Sequence, residues 1–457
     1  MDYKKIMESV WADVQKLMPE HLQRLAWTPE QLREYQTKAL REILTFAKEN
    51  TPFYQEVLSS VDTANFNIED LSKLPPTDKT LHMERWDDFV AAPGITYEIA
   101  EKHLEGLRSG KLENPFYNDR YLFIATGGST GKRGLFIWDA EFLKETVCLT
   151  YRYLIDSENR AGYRGAMKLA TVEAPTLLHG SQFLFPSKVL PEFELLRLTA
   201  IDPVSEQCEK LNDFKPTYLV GYPSSLIELA YAQLSGDLDI HPRWVSTNSG
   251  PLDQTMRARM KEAWGVKTCD SWGSVEIGSV ACETMDSPGM VIGEDGVILE
   301  LVDHSNNPVD EPKDAAKVLA TCLFNKSLPM IRYEIDDVMD IGQGYAEYPS
   351  FRRIINILGK ATNWFLYGDI KVHPMVFSDI LVTEKEVEEF QVVQTEQGAH
   401  IKLVCSGKPN IKEMEEMILK NLNKYGLHDP IVDFEVVDSV PHHPETGKVA
   451  RFVRLQI

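Results

Sequence analysis

Residues 121–138 read YLFIATGGSTGKRGLFIW, and the fold is decided there. Two apolar runs, Tyr121 to Ala125 and Leu135 to Trp138, have the length and β-branched or aromatic content of strands. Between them lies a loop of glycines and hydroxyl side chains, Thr126-Gly127-Gly128-Ser129-Thr130-Gly131-Lys132. Glycines let consecutive backbone N–H groups converge without obstruction, which makes an anion-binding concavity. The hydroxyls of Thr126, Ser129 and Thr130 add donors for a phosphate. The spacing fits neither G-x-x-x-x-G-K-[ST] nor G-x-G-x-x-G, so the loop belongs to neither familiar phosphate-binding class. Taken alone, it reads equally well as a hairpin rich in turn residues.

Outward from the loop, short apolar runs alternate with helical segments. Tyr218 to Val220 and Val297 to Val302 continue the strands, which predicts an α/β architecture with a mainly parallel sheet. Before residue 80 the chain reads as helices and connections. Leu40, Ile43, Leu44 and Ala47 share one helical stripe, stopped at Asn50-Thr51-Pro52. The last hundred residues form a different pattern. Phe390 and Val392 alternate with polar residues, as do Ile401, Leu403 and Cys405, then Ile411, Met414, Ile418 and Leu422 mark a helix, and Val432, Phe434 and Val436 alternate again. This predicts a compact ββαβ unit, with a large domain over 1–358 and a small one over 359–457 that moves as a body.

Composition bounds the function. The 457 residues exceed what one core usually organises. Sixty-nine acidic against 48 basic residues give a net charge of −21. Such a surface repels nucleic acid, whose nonspecific binding needs Lys and Arg against phosphates. The most apolar stretch, Tyr218 to Ala232, is broken by Pro223, two serines and Glu228, and no window approaches the roughly 20 apolar residues of a membrane span. The N-terminus has no apolar signal region, and the chain reads as cytoplasmic. Six cysteines, at 148, 208, 269, 282, 322 and 405, include no CxxC pair and read as buried reduced thiols.

Further motifs follow the glycine loop in order: Asp270-Ser271-Trp272-Gly273-Ser274-Val275-Glu276, Pro329 to Asp337, Gly359-Lys360 with Gly368, and Pro444-Glu445-Thr446-Gly447-Lys448. In this order they resemble the core motifs of the adenylate-forming superfamily of acyl-CoA synthetases, adenylation domains and luciferases. The closest resemblance is to the phenylacetate–coenzyme A ligase family. It extends from Asn50-Thr51-Pro52-Phe53-Tyr54 and Asp70 to Pro75 through Gly250-Pro251-Leu252, the helix Met256 to Trp264, and Leu319 to Tyr333.

That resemblance implies roles. The enzyme uses ATP to turn a carboxylic acid into an acyl-adenylate, then passes the acyl group to the thiol of coenzyme A. A carrier-protein thiol or an amine is the alternative acceptor, and a non-catalytic nucleotide or acid sensor is the alternative from another class. Glu276 is the implied Mg²⁺ ligand, Asp337 the acceptor for the ribose hydroxyls, and Lys448 the cation of the adenylation step. Trp272 replaces the usual tyrosine beside adenine, with Gly250 and Pro251 on the other side of the base. Lys360 replaces an arginine at ribose or phosphate, which keeps charge but loses bidentate geometry. The small domain rotates between half-reactions about a hinge near Lys360 to Asn363, and the Gly368 loop faces the thiol.

The acid pocket falls between Thr171 and Phe185 and at Gly221 to Ser225. Phe183, Phe185, Tyr222, Ala174 and Gly180 suit a flat or apolar acid, with Gly221 also in the pocket, while His179 reads equally as a ligand contact or a packed side chain. The departures mark a divergent member: Lys132-Arg133-Gly134 where Pro-Lys is common, Val275 for a hydroxyl residue, and Thr362-Asn363 for an acidic pair. Some relatives hold zinc here, but Val291 stands in place of the histidine that would join Cys282, so no zinc is expected.

Overall fold

A computed structural model describes residues 3–126, 134–174, 180–185, 193–250, 252–309, 315–335, 337–360, 365–368, 370–372, 375–381, 384, 386–441 and 451–455. The side chains of 126, 338, 358–360, 371, 375, 378–379 and 388 are not described. The chain divides into two compact units. One comprises Met1–Ala170, Thr176–Leu196 and Cys269–Ile357, and the other Thr171–Pro175, Arg197–Thr268 and Leu358–Ile457.

The first unit begins with two long helices, Tyr3–Arg24 and Pro29–Asn50. Thr28 and Gln31 form a reciprocal capping box at the start of the second, with Pro29 in the first turn, where its missing N–H has no role. Leu40, Ile43, Leu44 and Ala47 are fully buried, as their spacing predicts. The helix stops at Asn50. Thr51 then accepts the Tyr54 N–H and starts Pro52–Val57.

Tyr121–Thr126 and Gly134–Asp139 pair antiparallel, with Thr126 opposite Gly134, so the two strands close at the ends of the glycine loop. Farther along, five strands lie in the order Asp337–Gly342, Arg353–Lys360, Met290–Ile292, Gly278–Cys282 and Thr268–Ser274. A third sheet joins Val297–Val302, Lys317–Cys322 and Tyr333–Ile335.

The expectation of a mainly parallel sheet is corrected here. From Thr268–Ser274 through Gly278–Cys282 and Met290–Ile292 to Arg353–Lys360 the ladders are antiparallel, as they are between Phe116–Tyr117, Tyr121–Thr126 and Gly134–Asp139 and in the sheet of Val297–Val302. Short strands joined by tight turns need no crossover helix, and no helix occurs between Trp264 and Met375 among the described residues.

The second unit contains the parallel pair Tyr218–Gly221 and Trp244–Asn248, connected by the helix Pro223–Ser235. Its C-terminal part is a four-stranded sheet in the order Ile431–Val436, Gly398–Cys405, Val387–Gln394, Phe452–Val453, with the helix Ile411–Lys424. Phe365, Phe377, Val392, Ile401, Ile418 and Leu422 belong to its own apolar core. The ββαβ pattern of the sequence is thus observed, with Phe452–Val453 added in parallel beside Val387–Gln394. Among the described residues, no helix is long and apolar enough to cross a membrane.

Candidate active site

In the first unit, the strand Thr268–Ser274 carries the motif that contains Trp272. Asp270 is buried at its centre and exchanges two backbone-anchored bonds with Glu283. The Asp270 N–H donates to Glu283 Oε2 at 2.8 Å, and the Glu283 N–H donates to the Asp270 carbonyl at 2.8 Å. The Ser271 N–H donates to Asp270 Oδ1 at 3.0 Å. The register shifts between Trp272 and Gly273, a bulge whose extra residue is Val280 of the neighbouring strand. Gly273 is fixed by space, since a Cβ there would lie 2.5 Å from the Gly278 carbonyl oxygen.

After the bulge the chain turns through Val275, Glu276 and Ile277 into Gly278–Cys282. The Trp138 indole donates to the Val275 carbonyl at 2.8 Å, which ties this turn to the end of the strand Gly134–Asp139. Glu276, half-buried, sits at the middle of the turn. Asp337 is the first residue of Asp337–Gly342, just beyond the strand Tyr333–Ile335 of another sheet. Its Oδ2 accepts the Trp272 Nε1–H at 3.0 Å. The structure therefore brings Trp272 and Asp337 into direct contact across 65 residues of sequence. Trp272 itself is only 8% exposed.

Arg332 anchors the segment leading to Asp337. It is buried in a left-handed conformation, φ 48°, that a non-glycine residue keeps only when its surroundings fix it. Its Nε donates to Glu300 Oε2 at 3.0 Å, and its guanidinium also reaches the carbonyls of Leu74 and Asn306.

In the second unit, Gly221, Tyr222 and Gly250 lie together at the ends of the parallel strands. A Cβ on Gly221 would come 2.9 Å from the Val172 carbonyl oxygen, and one on Gly250 would come 3.1 Å from Pro223 Cδ. Tyr222 is buried, and its hydroxyl accepts the Ala174 N–H at 3.0 Å. Gly368, φ 61°, is exposed on the turn after Phe365–Tyr367.

Gly127 to Lys132, Pro251, His179 and Lys448 lie outside the described residues, as do Thr362 and Asn363 of the expected hinge and the side chains of Thr126 and Lys360. Cys282 is directly opposite Val291 in the ladder, and both are buried with Tyr153, Tyr348 and Phe351. Burial pushes the Cys282 thiol up to about 12. Among the described residues, no three His, Cys, Asp or Glu side chains are grouped as a metal site.

Two contacts of this region are not stated by any pattern of the sequence as pairs. Asn248 Nδ2 donates to the buried Glu173 Oε1 at 3.1 Å. Arg451 Nη1 donates to Asp253 Oδ2 at 2.7 Å, and its Nη2 lies 3.2 Å from Met256 Sδ. Only half of the second is legible, because Asp253 opens the helix Gln254–Trp264 as an N-cap.

No family model matches the chain. The chain is similar to the phenylacetate-coenzyme A ligase of Escherichia coli, 24% identical over 406 residues that span 84% of this chain and 83% of that one. It is similar to the phenylacetate-coenzyme A ligase of Pseudomonas putida as well, 22% identical over 390 residues, 81% and 80% of the two chains. Its fold is similar to that of a 2-hydroxyisobutyryl-CoA ligase solved in the postadenylation state with R3-HIB-AMP. There the TM-score is 0.70 at 17% identity, covering 92% of this chain and 89% of the other.

Proposed function

We propose that this chain, a phenylacetate–coenzyme A ligase-like member of the adenylate-forming superfamily, activates a carboxylic acid with ATP and transfers the acyl group to coenzyme A. The observation that carries this reading is the likeness to phenylacetate-coenzyme A ligases over more than four-fifths of both chains. Within it, the positions expected to hold nucleotide and metal are Trp272, Glu276 and Asp337.

The chemistry sets the task. A carboxylate oxygen attacks the α-phosphorus of ATP, the bond to the β-phosphate breaks, and pyrophosphate leaves. The thiolate then attacks the acyl carbon, the bond to AMP breaks, and AMP leaves. The first step joins two anions, so the protein must supply positive charge and orientation rather than covalent chemistry. The glycine loop provides amide donors for the phosphates, and Lys448 the cation at the reacting end. Asp337 accepts the ribose hydroxyls, since a carboxylate can take two hydrogen bonds at once.

Glu276 is the residue that would hold Mg²⁺. One carboxylate on a half-buried turn suits this ion, which binds mostly phosphate oxygens and water rather than a full protein cage. Bound there, it would neutralise phosphate charge. The small domain, 359–457, rotates between the half-reactions, first presenting Lys448 and then opening the Gly368 side to the thiol. The acid is aryl or small and apolar.

The test is acid-dependent ATP–pyrophosphate exchange by the purified protein with MgCl₂ and a panel of aryl and alkyl acids, followed by coenzyme A consumption. Exchange with at least one aryl acid and consumption of the thiol are expected. Exchange with no acid overturns the adenylation reading. Exchange without thiol consumption overturns only the choice of acceptor.

A further inference from the structure

We infer that Trp272 is a positioning residue for ribose recognition: its indole N–H fixes the Asp337 carboxylate and so sets selectivity for ribonucleotides over deoxynucleotides. The inference rests on the reading of Asp337 as the ribose acceptor and deepens it. Two observations point to it. Gly273 has no room for a Cβ against the Gly278 carbonyl, so the backbone beside Trp272 is held close against the neighbouring strand. And the indole ends 3.0 Å from Asp337 Oδ2.

An indole nitrogen is a donor only, so this bond requires an acceptor, which an ionised carboxylate supplies. A hydrogen bond to an ionised group is shorter and stronger than one between neutral groups. Trp272 is itself held, buried in the apolar core of the first unit, so it acts as a fixed post and the carboxylate as the part being oriented. The indole takes one acceptor site of Oδ2, and the carboxylate keeps others for the ribose hydroxyls. A carboxylate already held in one rotamer binds a diol without first losing that freedom. A ring acting only as a stacking surface for adenine would have no bearing on the ribose hydroxyls.

The experiment is calorimetric binding of ATP, 2′-deoxy-ATP and 3′-deoxy-ATP, in MgCl₂, to the wild-type chain, W272F, D337N and the double variant. Each result is a ratio of Kd values within one preparation, which does not depend on the fraction folded. The wild type is expected to prefer ATP by about tenfold over the weaker-binding deoxy analogue. W272F should bring that ratio close to one, D337N should do the same, and the double variant should lose nothing further. Should W272F fail to fold, W272H gives the same comparison, and its retained ring N–H should keep part of the preference.

Equal weakening of all three nucleotides by W272F, with the ratio preserved, makes the indole a stacking surface and overturns the inference alone. Wild type and D337N binding all three nucleotides alike overturns the ribose reading, and this inference with it.

Discussion

Removing the ion pair between Arg451 and Asp253 should slow acyl-adenylate formation and spare the use of acyl-adenylate. The pair lies within the second unit and joins residues 198 apart. Its side chains are 9% and 17% exposed, so the charges are largely withdrawn from water. Asp253 has two tasks. One oxygen takes the Arg451 N–H at 2.7 Å, while the other caps the helix Gln254–Trp264 by accepting the Met256 N–H at 2.8 Å. The guanidinium also packs 5.0 Å from the centre of the Phe390 ring.

Substitutions can separate these roles. Asp253→Asn removes the charge and keeps the cap, because Asn and Asp are nearly equivalent at that position. Arg451→Met keeps the aliphatic stem over Phe390 and removes the donors. A hydrogen bond to a charged group is worth about 1.5–3 kcal/mol net. Each 1.4 kcal/mol is about tenfold in a population, so the arrangement with Arg451 held on Asp253 should lose roughly 10- to 150-fold in weight.

Arg451 stands three residues after Lys448, so its anchorage holds the end of the segment expected to supply the adenylation cation. Pyrophosphate exchange should therefore fall at least about tenfold in each variant, and the double variant should fall no further. Thioester formation from a supplied acyl-adenylate should persist. Unchanged exchange, fully additive losses, or parallel decline of both half-reactions would refute the reasoning.

Lys448→Ala should abolish pyrophosphate exchange yet leave conversion of a supplied acyl-adenylate largely intact; equal loss of both steps would remove the role assigned to it. Asp295→Asn should cost about 3–5 kcal/mol in thermal or urea unfolding, because it strips the bidentate partner from a fully buried Arg152. Burial alone would raise the Asp295 carboxyl, but Arg152 holds it down at about 2, so this contribution is present above the ordinary carboxylate range and is lost as pH falls toward 2. A loss under about 1 kcal/mol would contradict that picture. His82 is fully buried against Phe89, Phe136 and Tyr333, neither ring nitrogen has a partner among the described residues, and burial pushes its pKa down to about 3. The unfolded chain then binds a proton that the folded chain does not, so stability should decline below about pH 6.5, by up to about 1.4 kcal/mol per pH unit. In His82→Phe that slope should flatten; unchanged slopes would show that other groups set it.

How much of this was legible in the sequence follows from the distance over which each feature is encoded. The stripe Leu40, Ile43, Leu44, Ala47 and the hairpin around the glycine loop are local, and both stand where the periodicity puts them. The C-terminal ββαβ unit is local too. Strand direction is not, because hairpin-linked strands such as Thr268–Ser274 and Gly278–Cys282 carry the same apolar pattern as strands joined by a crossover. The site divides the same way. Motifs locate Trp272, Glu276 and Asp337 one by one, but no pattern of residues states that an indole reaches a carboxylate 65 positions away, or that Arg451 finds Asp253. The replacement of tyrosine by Trp272 illustrates the difference. In sequence it exchanges one flat ring for another, which leaves stacking unchanged. In space it also places a donor that cannot accept against the side chain expected to read the sugar. A substitution that is conservative as a surface is thus specific as a hydrogen bond, and the nucleotide's ribose is where that difference should be felt.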